Sequence, residues 1–377
     1  MSPLGPTRVN ETITIRLKNR SRNHQKSYLY IMQKTYYKPL VIWLAIGAIM
    51  VAAMVVIGGV TRLTDSGLSM VDWNLFSGTI PPQSEVEWLE TFDNYKNYPE
   101  YNLVNFDMSL SEFKSIFFWE WFHRVLGRTI GVVFIIPFFW FLYKKKLSPK
   151  LTKKLVILLF LGGFQGFLGW FMVKSGLVDR PDVSHFRLAL HLSAAFLTFA
   201  YIFWLLLELT SSGDSEDLKL TKLAKWYKIF VPLVVLQIIF GAFVAGLDAG
   251  LVFPTWPRMG SYWIPPQIGA DISSKGISSL WNEKVSVQFL HRVLAYIVFI
   301  FTVFLWVKSR GLKDSLKSKM GMSFLMIAVL IQVILGIFTL LMKVPISLGV
   351  LHQFGALLVL MSIVYQMFLA RNNEIAK

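Results

Sequence analysis

No cysteine occurs in the 377 residues. A disulfide framework, a thiolate metal site and a cysteine nucleophile are therefore excluded. Any metal must be held by histidine, methionine or carboxylate. Charge is scarce too: 16% of residues are Asp, Glu, Lys or Arg, against about a quarter in ordinary globular chains. Apolar residues reach 54% and mean hydropathy is +0.53, more than one soluble core can hide. A soluble globular enzyme and a disordered chain are excluded. The alternation of a membrane barrel strand is missing as well.

What is there is a series of long apolar runs. A spanning helix needs about 20 apolar residues. Eight segments qualify: 40–61, 119–143, 155–174, 187–209, 229–247, 286–307, 321–342 and 347–370. The expected fold class is an all-α polytopic membrane protein. The net charge of +16 would suggest nucleic acid, but its placement argues otherwise. Of the 38 basic residues, 25 lie in 1–38, 144–154, 210–228 and 308–319 or at Arg371 and Lys377. The alternate connection 62–118 holds nine acids against Arg62, Lys96 and Lys114. Lys and Arg mark the cytoplasmic side. Both termini are thus expected in the cytoplasm or mitochondrial matrix, with the 62–118 loop outside, and no nucleic-acid partner is implied. Residues 1–38 lack the apolar stretch of a secretory signal. They read as a basic tail, a targeting extension, or an extension upstream of a start near Met32.

The chain repeats itself. TRLTDSGLSMVDWNLFSGTIPP follows the first span and AGLDAGLVFPTWPRMGSYWIPP follows the fifth. Asp65, Gly67 and Leu68 align with Asp248, Gly250 and Leu251. Trp73 and Trp256 each lie eight residues after their Asp, and Pro81-Pro82 matches Pro265-Pro266. EWFHRVLGR opens the second span and QFLHRVLAY the sixth. Gln165 and Gly169 match Gln332 and Gly336, and His191 matches His352. Two parallel four-helix repeats are expected: 39–210 and 229–370, joined by a linker at 211–228 and followed by a tail at 371–377.

Of the six histidines, His24 lies in the basic segment and His185 reads as a loop or interface residue. The other four, His123, His191, His291 and His352, occupy equivalent points near the outer ends of even-numbered spans. Ionisable groups at membrane depth are costly and by default functional. Two histidines facing each other across a bundle suit a six-coordinate haem iron, whereas zinc wants more ligands. Two sites are expected: His123 with His191, and His291 with His352. Gly127 and Ala295, one turn after their histidines, would leave room for a flat macrocycle. Arg124, Arg128, Arg187, Arg258 and Arg292 lie where propionates would emerge, and headgroup anchoring is the competing reading. The repeat breaks at Glu120, whose counterpart is Gln288. Three residues before His123, Glu120 shares its helix face and can exchange a proton. The competing reading makes it a helix N-terminal carboxylate facing the dipole.

GGVTRLTDSGLSMVDW, EWFHRVLGR, HLSAAF, FPTWPRMG, QFLHRVLAY and LHQFGALLVL together resemble the haem A synthase family over roughly residues 40–370. The likeness is to the cysteine-free branch shared by mitochondria and many bacteria. The resemblance implies oxidation of a methyl substituent of haem O to a formyl group, giving haem A for cytochrome oxidase. It implies that His123 and His191 hold the substrate haem, that His291 and His352 hold a resident haem b, and that Glu120 is catalytic. With both axial positions filled by histidine, reaction is expected at the ring edge, electrons leaving toward the second haem and Glu120 taking the proton. The alternative is that one histidine leaves the iron and oxygen binds. Implied partners are membrane lipid, haem O synthase and an unidentified electron-transfer protein, with self-association left open. The plasma membrane of a bacterium is the expected location, the mitochondrial inner membrane the alternative. Two other classes compete: a bis-His dihaem cytochrome carrying electrons from quinol, and a transporter, since repeats are common there.

Overall fold

The computed structural model describes residues 38–71, 78–176, 182–211, 223–311 and 316–375. Residues 1–37 with His24, Trp73, most of the 211–228 linker and the side chains from Arg371 onward lie outside the described residues. Among the described residues the regular structure is helical, apart from an isolated bridge between Met259 and Tyr262. The helices are α1 (Lys38–Leu63), α2 (Glu85–Tyr95), α3 (Pro99–Leu103), α4 (Leu110–Tyr143), α5 (Pro149–Gly176), α6 (His185–Thr210), α7 (Ala224–Gly246), α8 (Pro266–Lys275), α9 (Ser279–Asn282), α10 (Lys284–Arg310), α11 (Leu316–Leu341) and α12 (Ile346–Ile375). Eight are long and apolar enough to cross a membrane: α1, α4, α5, α6, α7, α10, α11 and α12. They are the eight expected spans. Ile49, Ile136, Phe160 and Ile300 are each about two-thirds exposed, as side chains solvated by lipid rather than water would be.

The largest departure in span boundaries is α4, which begins at Leu110 rather than 119. At 34 residues it is about 50 Å long, well beyond the roughly 30 Å apolar thickness of a bilayer. Its extra turns are started by a capping box: Ser109 accepts from the Glu112 amide, and the Glu112 carboxylate accepts from the Ser109 amide at 2.8 Å. They carry Phe113 and Phe117 into a cluster with Met70, Phe92 and Tyr95. This cap over one bundle end uses α2 and α3, which lie in the longer first outer loop. The shorter loop of the second repeat carries α8 and α9 instead. In both repeats the Pro-Pro pair leads into an outer helix, α2 or α8.

Helices α4, α5 and α6 pack in succession, as do α7, α10, α11 and α12. Trp43 of α1 donates to the Val133 carbonyl of α4 at 2.8 Å. The halves meet along α6, α7 and α12, and Gln353 of α12 donates to the Val55 carbonyl of α1 at 2.8 Å. Small residues permit the close approach. A Cβ on Gly349 would strike Leu63, and one on Gly246 would strike Leu188 and His185. By repeat register these are two copies of one contact. His185 is therefore an interface residue; it also lies 3.0 Å from the Trp281 carbonyl.

Arg62 closes the junction. It bonds Asp65 at 2.6 Å, and Asp248 and the Ala245 carbonyl at 2.8 Å each. The two aspartates are the matched pair from the repeat, and both take left-handed backbone, with φ of 47° and 51°. The two largest apolar clusters lie away from this end, while Ala189, Ala242, Phe243 and Val287 form a smaller one near it. Phe138, Phe141, Leu151, Leu155, Phe199 and Leu205 fill one half, and Phe230, Val298, Leu305, Met322 and Leu325 the other.

Candidate functional site

Each histidine on an even-numbered span is backed by an odd-numbered one. His123 of α4 lies against Gly58 of α1, where an added Cβ would come within 3.2 Å of its Cε1. His291 of α10 lies against Gly241 of α7 in the same way, at 3.1 Å, and His352 of α12 against Gly336 of α11, at 2.8 Å. Gly58 and Gly241 are the same repeat position. Any side chain there would push the imidazole off its seat. All four histidines are intermediate in overall exposure.

The rings of His291 and His352 have centroids 6.4 Å apart and planes at 80°. Two metal–nitrogen bonds of about 2 Å each, plus the half-widths of two imidazoles, give roughly the same figure. Near-perpendicular planes let both rings stand upright on one macrocycle. His123 and His191 lie within electrostatic reach of each other. Among the described residues, no three His, Cys, Asp or Glu side chains gather as a metal site. In the C-terminal half two imidazoles face each other, the arrangement a bis-histidine haem takes.

Glutamines support the rings. Gln165 of α5 lies 3.2 Å from Nδ1 of His191 and donates to that residue's carbonyl at 3.0 Å. Gln332 of α11 donates to the His352 carbonyl at 2.8 Å, with its amide 3.5 Å from the ring. Both matched glutamines therefore attend the second histidine of their half. Gln237 of α7 lies 3.2 Å from Nδ1 of His291. The Oε1 atoms of all three, and Nδ1 of His352, are buried without a partner. A metal-bound imidazole needs an acceptor for its outward N–H, and exchanging the amide N and O of Gln237 supplies one.

Glu120 sits almost three turns inside α4, so the N-terminal dipole reading is removed. Its buried carboxylate accepts from Ser69 Oγ at 2.7 Å, from the Met70 amide at 2.8 Å and from Arg124 at 2.6 Å. Arg124 also donates to the Met70 carbonyl at 2.8 Å. In the other half, Arg292 donates to the equivalent carbonyl, that of Phe253, at 2.7 Å. Gln288 there points its amide at the carbonyls of Gly250 and Phe253, at 3.4 and 3.3 Å. Both positions latch the outer loop, with opposite polarity: the carboxylate accepts and the amide donates. Arg124 and Arg292 thus engage loop carbonyls. Arg128 reaches the Gly78 carbonyl at 3.3 Å, while Arg187 donates to the Phe171 carbonyl at 2.8 Å and covers its ring. The backbone carbonyl of Arg258 accepts from Thr255 and Arg292. The room expected at Gly127 is taken: the Met54 methyl lies 3.1 Å from where a Cβ would be.

A profile described as cytochrome oxidase assembly protein, COX15-CtaA, matches residues 41–364. The chain belongs to the COX15-CtaA family. A heme A synthase of Flavobacterium psychrophilum is 49% identical over 331 residues, covering 87% of this chain and 97% of the relative. One from Flavobacterium johnsoniae is 46% identical, covering 87% and 96%. One from Nitrosospira multiformis is 45% identical over 323 residues, covering 85% and 90%. The matched region of the COX15-CtaA family spans both sets of histidines and Glu120. Two residues of the site escape sequence reasoning. Ser69 lies in a motif but carries no signal of its own. Gln237 stands where the first half has Met54, so comparing the repeats passes over it.

Proposed function

We propose that this protein is a haem A synthase, an oxidoreductase of the membrane that converts the methyl substituent of haem O to the formyl group of haem A. What supports this reading is the repeated histidine pair, with His291 and His352 facing each other at 6.4 Å between ring centroids, and the buried carboxyl of Glu120 where the other half has Gln288. The N-terminal half, with His123 and His191, takes haem O. The C-terminal half, with His291 and His352, holds a haem b. When bound, haem b supplies one-electron redox chemistry. Arg124 and Arg292, which hold their loops, would also pair with haem propionates.

Turning a methyl into a formyl group with water as the oxygen source, –CH3 + H2O → –CHO + 4 H+ + 4 e−, releases protons beside the ring and electrons that pass to the electron-transfer partner. Glu120 is the titratable group placed to take a proton. Ser69, the Met70 amide and Arg124 fix the direction of its carboxylate. Gln288 cannot perform this step, so the second half serves as electron carrier. Haem O arrives through the membrane, with haem O synthase and an electron-transfer protein as candidate partners. The bacterial relatives and the basic connections favour a bacterial plasma membrane with both termini inside.

Extraction of haem from the purified protein tests the reading. Haem A or haem O beside haem b is expected. Haem b alone would make it a dihaem cytochrome, and no haem would favour transport. Glu120→Gln should retain both haems while conversion falls about 100-fold or more; unchanged conversion would remove Glu120 from the mechanism.

A further inference from the structure

Three of the four imidazoles have a glutamine amide against them: Gln165 at His191, Gln237 at His291 and Gln332 at His352. His123 has none. The residue at the repeat position of Gln237 is Met54, one helical turn before Gly58 on the same face. Its methyl lies over Gly127, one turn beyond His123 on α4. Methionine is unbranched and adaptable and fills irregular gaps without fixing its neighbours. Partners that hold a ligand's outer nitrogen change metal affinity or activity by about 10- to 100-fold. The two halves therefore differ in grip as well as in chemistry. The C-terminal pair is supported on both imidazoles. The N-terminal pair is supported on His191 alone.

We propose that His123 is the exchangeable ligand at which the substrate haem is taken up and the product released, and that Met54, in place of glutamine, makes it so. This rests on the assignment of the two histidine pairs to haem. A product must leave its enzyme, whereas a resident cofactor must stay. On release the iron–His123 bond breaks first, and the bond to His191, steadied by Gln165, breaks last. Met54 then swings back over Gly127 and fills the space, keeping the empty seat closed to water and lipid.

The experiment uses the full-length protein in detergent and follows haem release to excess apomyoglobin. The released haems are separated chromatographically into haem A or O and haem b. Met54→Gln should slow release of haem A or O about tenfold, and Met54→Leu should leave it unchanged. Gln237→Met should speed release of haem b about tenfold and leave the other haem as it was. Wild-type rates in both Met54→Gln and Gln237→Met would overturn the proposal. If Met54→Gln does not accumulate, Gln237→Met decides alone: unchanged haem b release would sink it. A separate control guards the underlying assignment. If His123→Ala and His191→Ala leave the content of haem A and haem O intact, the haem assignment itself fails.

Discussion

At the scale of single residues, a carboxyl group buried at the membrane end of a bundle is tolerable only if its oxygens are satisfied. Glu120 meets that condition through three donors. Ser69 is the one most easily removed, because Val252 occupies its place in the other half and forms no such bond. A hydrogen bond to a charged group contributes about 1.5–3 kcal/mol, and tenfold in rate is about 1.4 kcal/mol. Ser69→Ala should therefore lower the rate of haem A formation about tenfold with haem content and KM unchanged, and Ser69→Thr should restore it. Steady-state conversion of haem O measures this; equal loss of haem content would show a merely structural role. The four histidines and Glu120 were legible in the sequence because a polar side chain inside an apolar run stands out, and the repeat doubled each signal. Gln237 was not, because its partner position carries methionine and internal comparison reveals only what both halves share.

At the scale of elements, the α2–α3 cap is a small aqueous layer built on one bundle. Its core holds an acid, Glu100, whose carboxylate accepts from Tyr95 at 2.8 Å, and Asn105 donates to the same hydroxyl at 2.9 Å. Burial pushes Glu100 up from 4.5 to about 8, and the negative charges of Glu120, Asp65 and Asp182 add to the rise against the Tyr95 hydrogen bond. The folded cap therefore binds the proton more tightly than the unfolded cap does. The resulting stabilisation is complete below the ordinary value of 4.5, drains as pH rises, and is gone above about 8. Hydrogen-exchange protection factors in residues 85–103, normalised for the intrinsic pH dependence of exchange, should fall across that window. Glu100→Gln should flatten the dependence by keeping the neutral form at every pH. The spans were readable from length and hydropathy, but this cap was not. Its helices are short and polar, and the start of α4 is set by Ser109 and Glu112 rather than by apolar content.

At the scale of the whole molecule, the halves are held by small residues between α6, α7 and α12 and by the Arg62 clasp. Arg62 is only 21% exposed, so its bonds are less screened than those of a surface pair. Arg62→Ala would leave Asp65 and Asp248 facing each other without a cation. Because Asp65 and Asp248 are 74% and 54% exposed, thermal unfolding should report a loss of about 0.5–1 kcal/mol. Haem b content should persist, because His291 and His352 belong to one half. The repeat announced that two aspartates match. That a single arginine would bridge them could not be read from it, since Arg62 aligns with Ala245, whose carbonyl is what the guanidinium takes.

The opposite polarity of the two loop latches has a further consequence for anyone recombining this protein. Suppose the segment 62–82 were replaced by 245–266 to make both ends alike. The carboxylate on α4 would then meet two backbone oxygens instead of an amide and a hydroxyl. The graft would fail by repulsion even though every glycine and proline in it still fitted. The duplicated ends have become non-interchangeable parts, and the direction of one hydrogen bond is enough to keep them so.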